Sequence, residues 1–180
     1  KPNEHFVDGT LGGGGHALEI LKRTAPNGRL LAIDRDQTAI DRFQNTIAGT
    51  ELKERIHLIC GNFADVAKHL KRASFPPVSG MILDLGFSSY QLEDGRGFSF
   101  SRNEPLIMRY ESGEGQTAAS IVSGYSEREL ADLIFKNSYE RYARVIAKNI
   151  VAARKKKRIL TTGQLARIIE SAELAGARLL

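Results

Sequence analysis

A single cysteine, Cys60, occurs in the 180 residues. No intramolecular disulfide can form, and no zinc site can be built on paired cysteines; such sparse use suits a reducing compartment. The four histidines, His5, His16, His57 and His69, are scattered without metal-ligand spacing. No Cys/His pairing suggests a nucleophilic thiol, so neither metal-centred nor thiol chemistry is expected. No run approaches the roughly 20 apolar residues of a membrane helix, and no apolar signal region follows the opening Lys1-Pro2-Asn3-Glu4. The expectation is a soluble domain of ordinary size, or a small domain carrying an insertion. Internal repeats and low-complexity tracts are also lacking. Apolar residues make up 42% of the chain, a little under the ~45–50% usual for globular proteins but enough for a core. The formal net charge of +5 leans toward a polyanionic partner.

The first eighty or so residues alternate in type. His5-Phe6-Val7-Asp8 reads as a short strand ending in a glycine-rich turn, and residues 16–24 carry helical spacing at Ala17, Ile20 and Leu21. Arg29-Leu30-Leu31-Ala32-Ile33 is a continuous apolar run closed by Asp34, the pattern of a strand buried on both faces. Asp36 is placed to cap a helix carrying Ala39, Ile40 and Phe43. Ile56-His57-Leu58-Ile59-Cys60 is a third strand stopped by Gly61-Asn62, with a helix after it over residues 64–71. Met81-Ile82-Leu83, within Gly80 to Leu85, reads as a fourth strand buried on both faces. Strands alternating with helices imply a parallel sheet of βαβ units. Residues 86–115 are rich in Gly, Ser and charge without periodicity, which is long for an ordinary loop and hints at function. Helices dominate thereafter: Ser126-Glu127-Arg128-Glu129 is a capping box. Tyr142, Val145, Ile146, Ile150 and Ala153 mark one helical face, and Thr161-Thr162-Gly163-Gln164 opens a further helix.

The strongest local signal is Asp8-Gly9-Thr10-Leu11-Gly12-Gly13-Gly14-Gly15-His16, set between a strand and a helix. Glycines let backbone approach a ligand closely, and free amides at a helix N-terminus suit an anionic group. Gly12-x-Gly14-x-x-Ala17 satisfies the dinucleotide fingerprint, with Asp34 about 20 residues on for ribose hydroxyls. Alone, the loop leaves a nicotinamide cofactor and S-adenosylmethionine both open. Asp8 favours the second, because its carboxylate would repel a pyrophosphate but attract an amino or sulfonium group.

Beyond the loop, Ile33-Asp34-Arg35-Asp36, Gly61-Asn62-Phe63, Leu83-Asp84-Leu85-Gly86-Phe87-Ser88-Ser89-Tyr90-Gln91-Leu92 and Arg96-Gly97-Phe98-Ser99-Phe100 follow in order. With Pro105-Leu106, Met108-Arg109, Thr117-Ala118-Ala119, Glu140-Arg141 and Thr161-Thr162, this set resembles the bacterial small-subunit ribosomal RNA cytosine-N4 methyltransferases, often called the MraW or RsmH family. The resemblance covers nearly the whole chain. It implies an α/β fold: a Rossmann-like class I methyltransferase core over residues 1–100, incomplete, and an inserted all-helical RNA-recognition domain over residues 101–180. The implied cofactor is S-adenosylmethionine, lined by Gly14, Gly15, His16, Asp34, Phe63, Asp84 and Gln91, with Asp8 and Gly12 added from the loop's own chemistry. Asp84, Ser88 and Ser89 become the candidate acceptors for an N–H of the cytidine amine. The implied partner is small-subunit ribosomal RNA or an immature small subunit, in the bacterial cytoplasm or an organelle matrix.

Arg141, Arg144 and Lys148 recur at helical spacing, Lys155 and Lys156 follow within Arg154-Lys155-Lys156-Lys157-Arg158, and no acidic residue interrupts from Arg141 to Arg158. Such a stripe fits phosphate contacts, and equally a solvated helix face. The sequence departs from the family pattern at Ile107, where an Asp is usual, at Tyr110, where a Met is usual, and at Ser138-Tyr139, in place of Gly-Glu. The family's N-terminal helix, its fifth strand and its closing strands have no counterpart, so the resemblance further implies a domain incomplete at both ends. That domain is expected to be poorly stable and barely active by itself, with an open sheet edge that could pair in a homodimer. Two other functions fit parts of the pattern: a nicotinamide-dependent oxidoreductase on the same loop, and a non-catalytic RNA-binding remnant.

Overall fold

The computed structural model describes residues 1–99, 101–110 and 115–177, with side chains described through residue 172. Phe100, part of one expected motif, lies outside them. Packing divides the chain into two units. The first holds residues 1–90 with Tyr110, and the second holds 91–109 and the chain from 115 onward. The crossing thus falls at Tyr90, ahead of the boundary drawn at residue 100.

The first unit runs β1 (Phe6–Asp8), α1 (Gly15–Arg23), β2 (Leu30–Asp34), α2 (Gln37–Ile47), β3 (Ile56–Cys60), α3 (Val66–Arg72) and β4 (Gly80–Ile82). All strand pairs are parallel, in the order β3-β2-β1-β4, with Phe6 opposite both Leu30 and Gly80 and with Leu30 opposite Ile56. Strand β2 is central because its residues can be buried on either side. Leu30 and Ala32 join Ala17, Leu21, Ile40, Phe43 and Ile47 of α1 and α2. Leu31 and Ile33 join Val7, with Ile59, Val66 and Leu70 around them. The two-sided burial expected of this run is therefore present. Asp36 caps α2 as expected, its Oδ1 accepting from the Thr38 N–H at 3.1 Å and from the Thr38 hydroxyl at 2.7 Å.

Strand β4 corrects the sequence reading. Met81 and Leu83 are 41% and 44% exposed, not buried on both faces. An apolar run reports that burial is available to a strand; the layers packed on it decide whether burial occurs. β4 lies at the end of the sheet with β1 on one side, and its burial alternates only between half-buried and exposed.

Order after β1 proceeds to β2 and β3 on one side and to β4 on the other, so the strand order reverses between β1 and β4. In open α/β sheets ligands bind at that reversal, beyond the carboxyl ends of the strands. Asp8 closes β1 and Asp84 follows β4.

Helix α4 (Ser89–Glu93) carries the chain into the second unit, which comprises α5 (Ala118–Gly124), α6 (Glu127–Ser138), α7 (Ala143–Lys156) and α8 (Thr162–Ala177). Its core gathers Leu106, Val122, Leu130, Ile146, Ala147, Ile150, Ile159 and Ala172. The capping box at Ser126 forms as its sequence dictates, Ser126 Oγ accepting from Glu129 N–H and Glu129 Oε2 from Ser126 N–H. Buried Glu104 fastens the Arg96-Gly97 turn to the start of α8: its Oε2 accepts from Gly97 N–H at 2.9 Å, and its carbonyl accepts from Thr162 N–H. Among the described residues no helix is long and apolar enough to cross a membrane.

Candidate functional site

The loop between β1 and α1 is held by three hydrogen bonds, two to β2 and one to β4. Leu11 N–H donates to the Ile33 carbonyl, Gly9 N–H to the Ile82 carbonyl, and Gly12 N–H to Asp34 Oδ2 at 2.8 Å. Gly14, the residue ahead of α1, has φ +80, the left-handed region, and a Cβ there would run into the Phe43 ring. Only glycine meets both conditions. A Cβ on Gly9 would stand 2.5 Å from Leu83 Cδ2 and 3.2 Å from Phe63 Cβ, so Phe63 sits directly beside the loop.

Asp8 is 1% exposed. Its Oδ1 accepts from Thr10 N–H at 3.0 Å, while Oδ2 is buried with no hydrogen-bond partner. Burial pushes the carboxyl above the usual range; the Thr10 N–H and then His16 draw it down, and Asp34 and Asp84 add to the rise. An unpartnered buried carboxylate oxygen is costly unless a ligand satisfies it, and a cationic donor suits it best. Asp34 spends both oxygens on backbone, Oδ2 on Gly12 and Oδ1 on Asp36 N–H at 2.9 Å. A carboxylate offers about four acceptor positions, so capacity remains for ribose hydroxyls. Asp84 has an exposed carboxylate, with Oδ2 3.9 Å from His16 Nδ1, and its N–H donates to Thr10 Oγ1 at 2.7 Å.

Asp8, Gly12, Gly14, Gly15, His16, Asp34, Phe63, Asp84 and Ser88 thus gather around one loop; Ser88 Cβ lies 3.7 Å from where a Gly12 Cβ would stand. Ser89 is exposed at the start of α4, and Gln91 is buried within the second unit. The sequence reading gave no role to Thr10, whose backbone N–H and hydroxyl join Asp8 to Asp84. Nor did it give one to Tyr90, which lies 3.4 Å from the Gly13 Cβ position with the Arg42 guanidinium 4.1 Å from its ring centre. Phe87 stacks on Tyr110 at 5.8 Å between ring centres, and burial, then Asp34, holds the Tyr110 phenol above its ordinary range. Thr10, Phe87 and Tyr90 belong to the sequence motifs of the loop and of residues 83–92, but their roles arise from contacts that spacing does not encode.

The model of the MraW methylase family matches residues 1–178. The chain belongs to this family. Ribosomal RNA small subunit methyltransferase H of Syntrophotalea carbinolica is 44% identical over 98% of this chain and 56% of its own. The protein of that name from Desulfotalea psychrophila is 43% identical over 96% of this chain and 58% of its own, and that from Symbiobacterium thermophilum 40% over 99% and 56%. The chain therefore spans a little over half the length of these family members.

The raised Asp8 carboxyl yields a result of two opposite signs. Where a folded-state pKa exceeds the unfolded value, ionisation costs stability. The cost is absent below the ordinary value of 3.8 and grows as pH rises through the window above it. At pH 7 Asp8→Asn should raise Tm, since the amide oxygen can still accept from Thr10, while affinity for a cationic ligand held by Oδ2 falls about tenfold or more, the scale of a lost charged hydrogen bond. Thermal unfolding and calorimetry read the two; a fall in both would make Asp8 purely structural.

Proposed function

We propose that this chain provides the cofactor site and the RNA-facing helices of an enzyme that methylates N4 of a cytidine in small-subunit ribosomal RNA, acting on the RNA or an immature subunit in the cytoplasm. The observation that carries the reading is the unpartnered buried oxygen of Asp8 beside a glycine loop tied down by Asp34, at the reversal of strand order. This arrangement suits a ligand with a cationic amino group and an adenosine ribose, and disfavours a pyrophosphate next to Asp8. The names of the relatives support the RNA substrate.

S-adenosylmethionine, when bound, supplies an electrophilic methyl group. Asp8 would hold its amino group, Asp34 its ribose, the Gly15 amide at the start of α1 its carboxylate, since the Gly14 N–H is given to the Leu11 carbonyl at 2.7 Å, and Phe63 its adenine. The exocyclic amine of cytidine is a poor nucleophile because its lone pair is delocalised into the ring. Asp84, or the Ser88 or Ser89 hydroxyl, would accept an N–H of that amine and localise the lone pair; the proton released as the methyl is transferred would go to the Asp84 carboxylate, or to water where a serine hydroxyl is the acceptor. Positioning supplies much of the rate, and the base must be unstacked or single-stranded to arrive. Arg144 and Lys148 are exposed on α7 while Ile146, Ala147 and Ile150 face the core; Arg141, just ahead of the helix, and Lys155 and Lys156 near its end are exposed too. These cations would hold phosphates.

Calorimetry on the full-length protein should give binding of S-adenosylmethionine and none of NAD. Mass spectrometry of digested RNA should then find N4-methylcytidine. NAD binding without response to S-adenosylmethionine would establish the oxidoreductase alternative, and label on carbon 5 would refute the assigned chemistry.

A further inference from the structure

The helical unit contains a cavity of about 290 Å³ lined by Val122 and Ser123 of α5, Arg154 and Lys155 of α7, and Arg158 and Ile159 just beyond it. Buried Val122 and Ile159 form its apolar floor. Arg154 is set in place by the fold: its Nη1 donates to the Val122 carbonyl at 2.7 Å, satisfying one of the last carbonyls of α5. That bond uses one of five guanidinium N–H donors. Lys155 and Arg158 are exposed at the rim, and no acidic side chain among the described residues lines the cavity.

We propose that this cavity is a subsite for one nucleotide of a single-stranded RNA, with the backbone phosphate on Lys155, Arg158 and the outer edge of Arg154, and the base against Val122 and Ile159. It rests on the RNA reading above and deepens it, turning part of a basic surface into a built site. The volume is at the small end of the roughly 300–1,000 Å³ of ligand pockets, fit for one base rather than a folded element. Arginine presents a planar fork that matches phosphate geometry, and aliphatic contact with the face of a base carries no hydrogen-bond code for its identity. Arg158 lies beyond the end of α7 at Lys156, past the extended Lys157, and lines the same cavity as Arg154 and Lys155.

The test compares two charge-matched double variants of the full chain. One is Lys155→Gln with Arg158→Gln. The other is Lys136→Gln with Lys157→Gln, exposed cations outside the cavity. Arg154 is left alone because it caps α5. The probe is a fluorescent ten-nucleotide single-stranded RNA at 0.15 M salt, on the order of physiological ionic strength, with S-adenosylmethionine calorimetry on the same samples. The cavity pair should raise Kd about tenfold or more and the control pair less than about threefold, with cofactor affinity unchanged in both. Equal losses would overturn the subsite in favour of a diffuse basic surface, and no loss in the cavity pair would overturn it outright. Failure of the unaltered chain to bind RNA, with S-adenosylmethionine still bound, would overturn the RNA reading itself. The same contrast seen with a polyglutamate peptide and not with RNA would assign the cavity to an acidic protein partner and overturn the proposal.

Discussion

Asp84→Asn in the full-length protein is expected to slow methyl transfer by about 10²- to 10⁴-fold, the usual contribution of a positioned proton acceptor, while S-adenosylmethionine affinity changes by less than about threefold. The side chain is exposed and carries no packing, so the fold should tolerate the exchange. Its backbone N–H is already fixed by the Thr10 hydroxyl, so the amide will stand where the carboxylate stood. What the substitution removes is a charged acceptor at the end of β4. Single-turnover rates with immature small subunits, set beside calorimetric cofactor binding, make the comparison. Equal loss in affinity and rate would assign Asp84 to cofactor binding, and an unchanged rate would transfer the acceptor's role to Ser88 or Ser89.

Gly14→Ala should be strongly destabilising, because the added methyl meets both a left-handed backbone and the Phe43 ring. An L residue in the left-handed region costs roughly 1–2 kcal/mol, and forcing a methyl into a packed ring typically costs a further ~1–3 kcal/mol. Together these approach the lower end of the 5–15 kcal/mol by which domains are commonly stable. The two costs can be separated. Phe43→Leu made in the Gly14→Ala background should return the steric part and leave the backbone part, giving strong non-additivity in a double-mutant cycle. Urea unfolding with unchanged m-value measures it; strictly additive losses would mean that the ring moves aside and that the contact is not a constraint.

Where local chemistry decided structure, the sequence was readable. Leu30 to Ile33 could only be a two-sided strand, Asp36 and Ser126 announced helix starts, and the glycine loop followed its strand with Asp34 at the right remove. Legibility ended where contacts join distant segments. Met81 and Leu83 look like core because hydrophobicity is a property of the residue, but exposure is a property of what packs on it. Gln91 stands one residue past Tyr90, and only the packing assigns the two to different units. The Arg154–Val122 bond spans 32 positions, so a basic run read along the chain gave no hint of a cavity behind it. Thr10 escaped because a hydroxyl among glycines looks like spacer until Asp84, 74 positions away, is brought to it.

The anchoring of the glycine loop has a kinetic and entropic consequence. Gly12 is hydrogen-bonded to Asp34, Leu11 to Ile33, and Gly14 lies on Phe43 of the core, so the loop adopts one shape when the domain folds. The ordering entropy of these residues, about 1–2 kcal/mol for each backbone fixed, is then charged to folding and not to ligand capture. A flexible glycine loop would have to freeze at each turnover, diverting part of the binding energy to its own immobilisation. On the proposed function, successive cofactor molecules would meet a backbone already held in place by the fold, and release of the spent one would leave it set for the next.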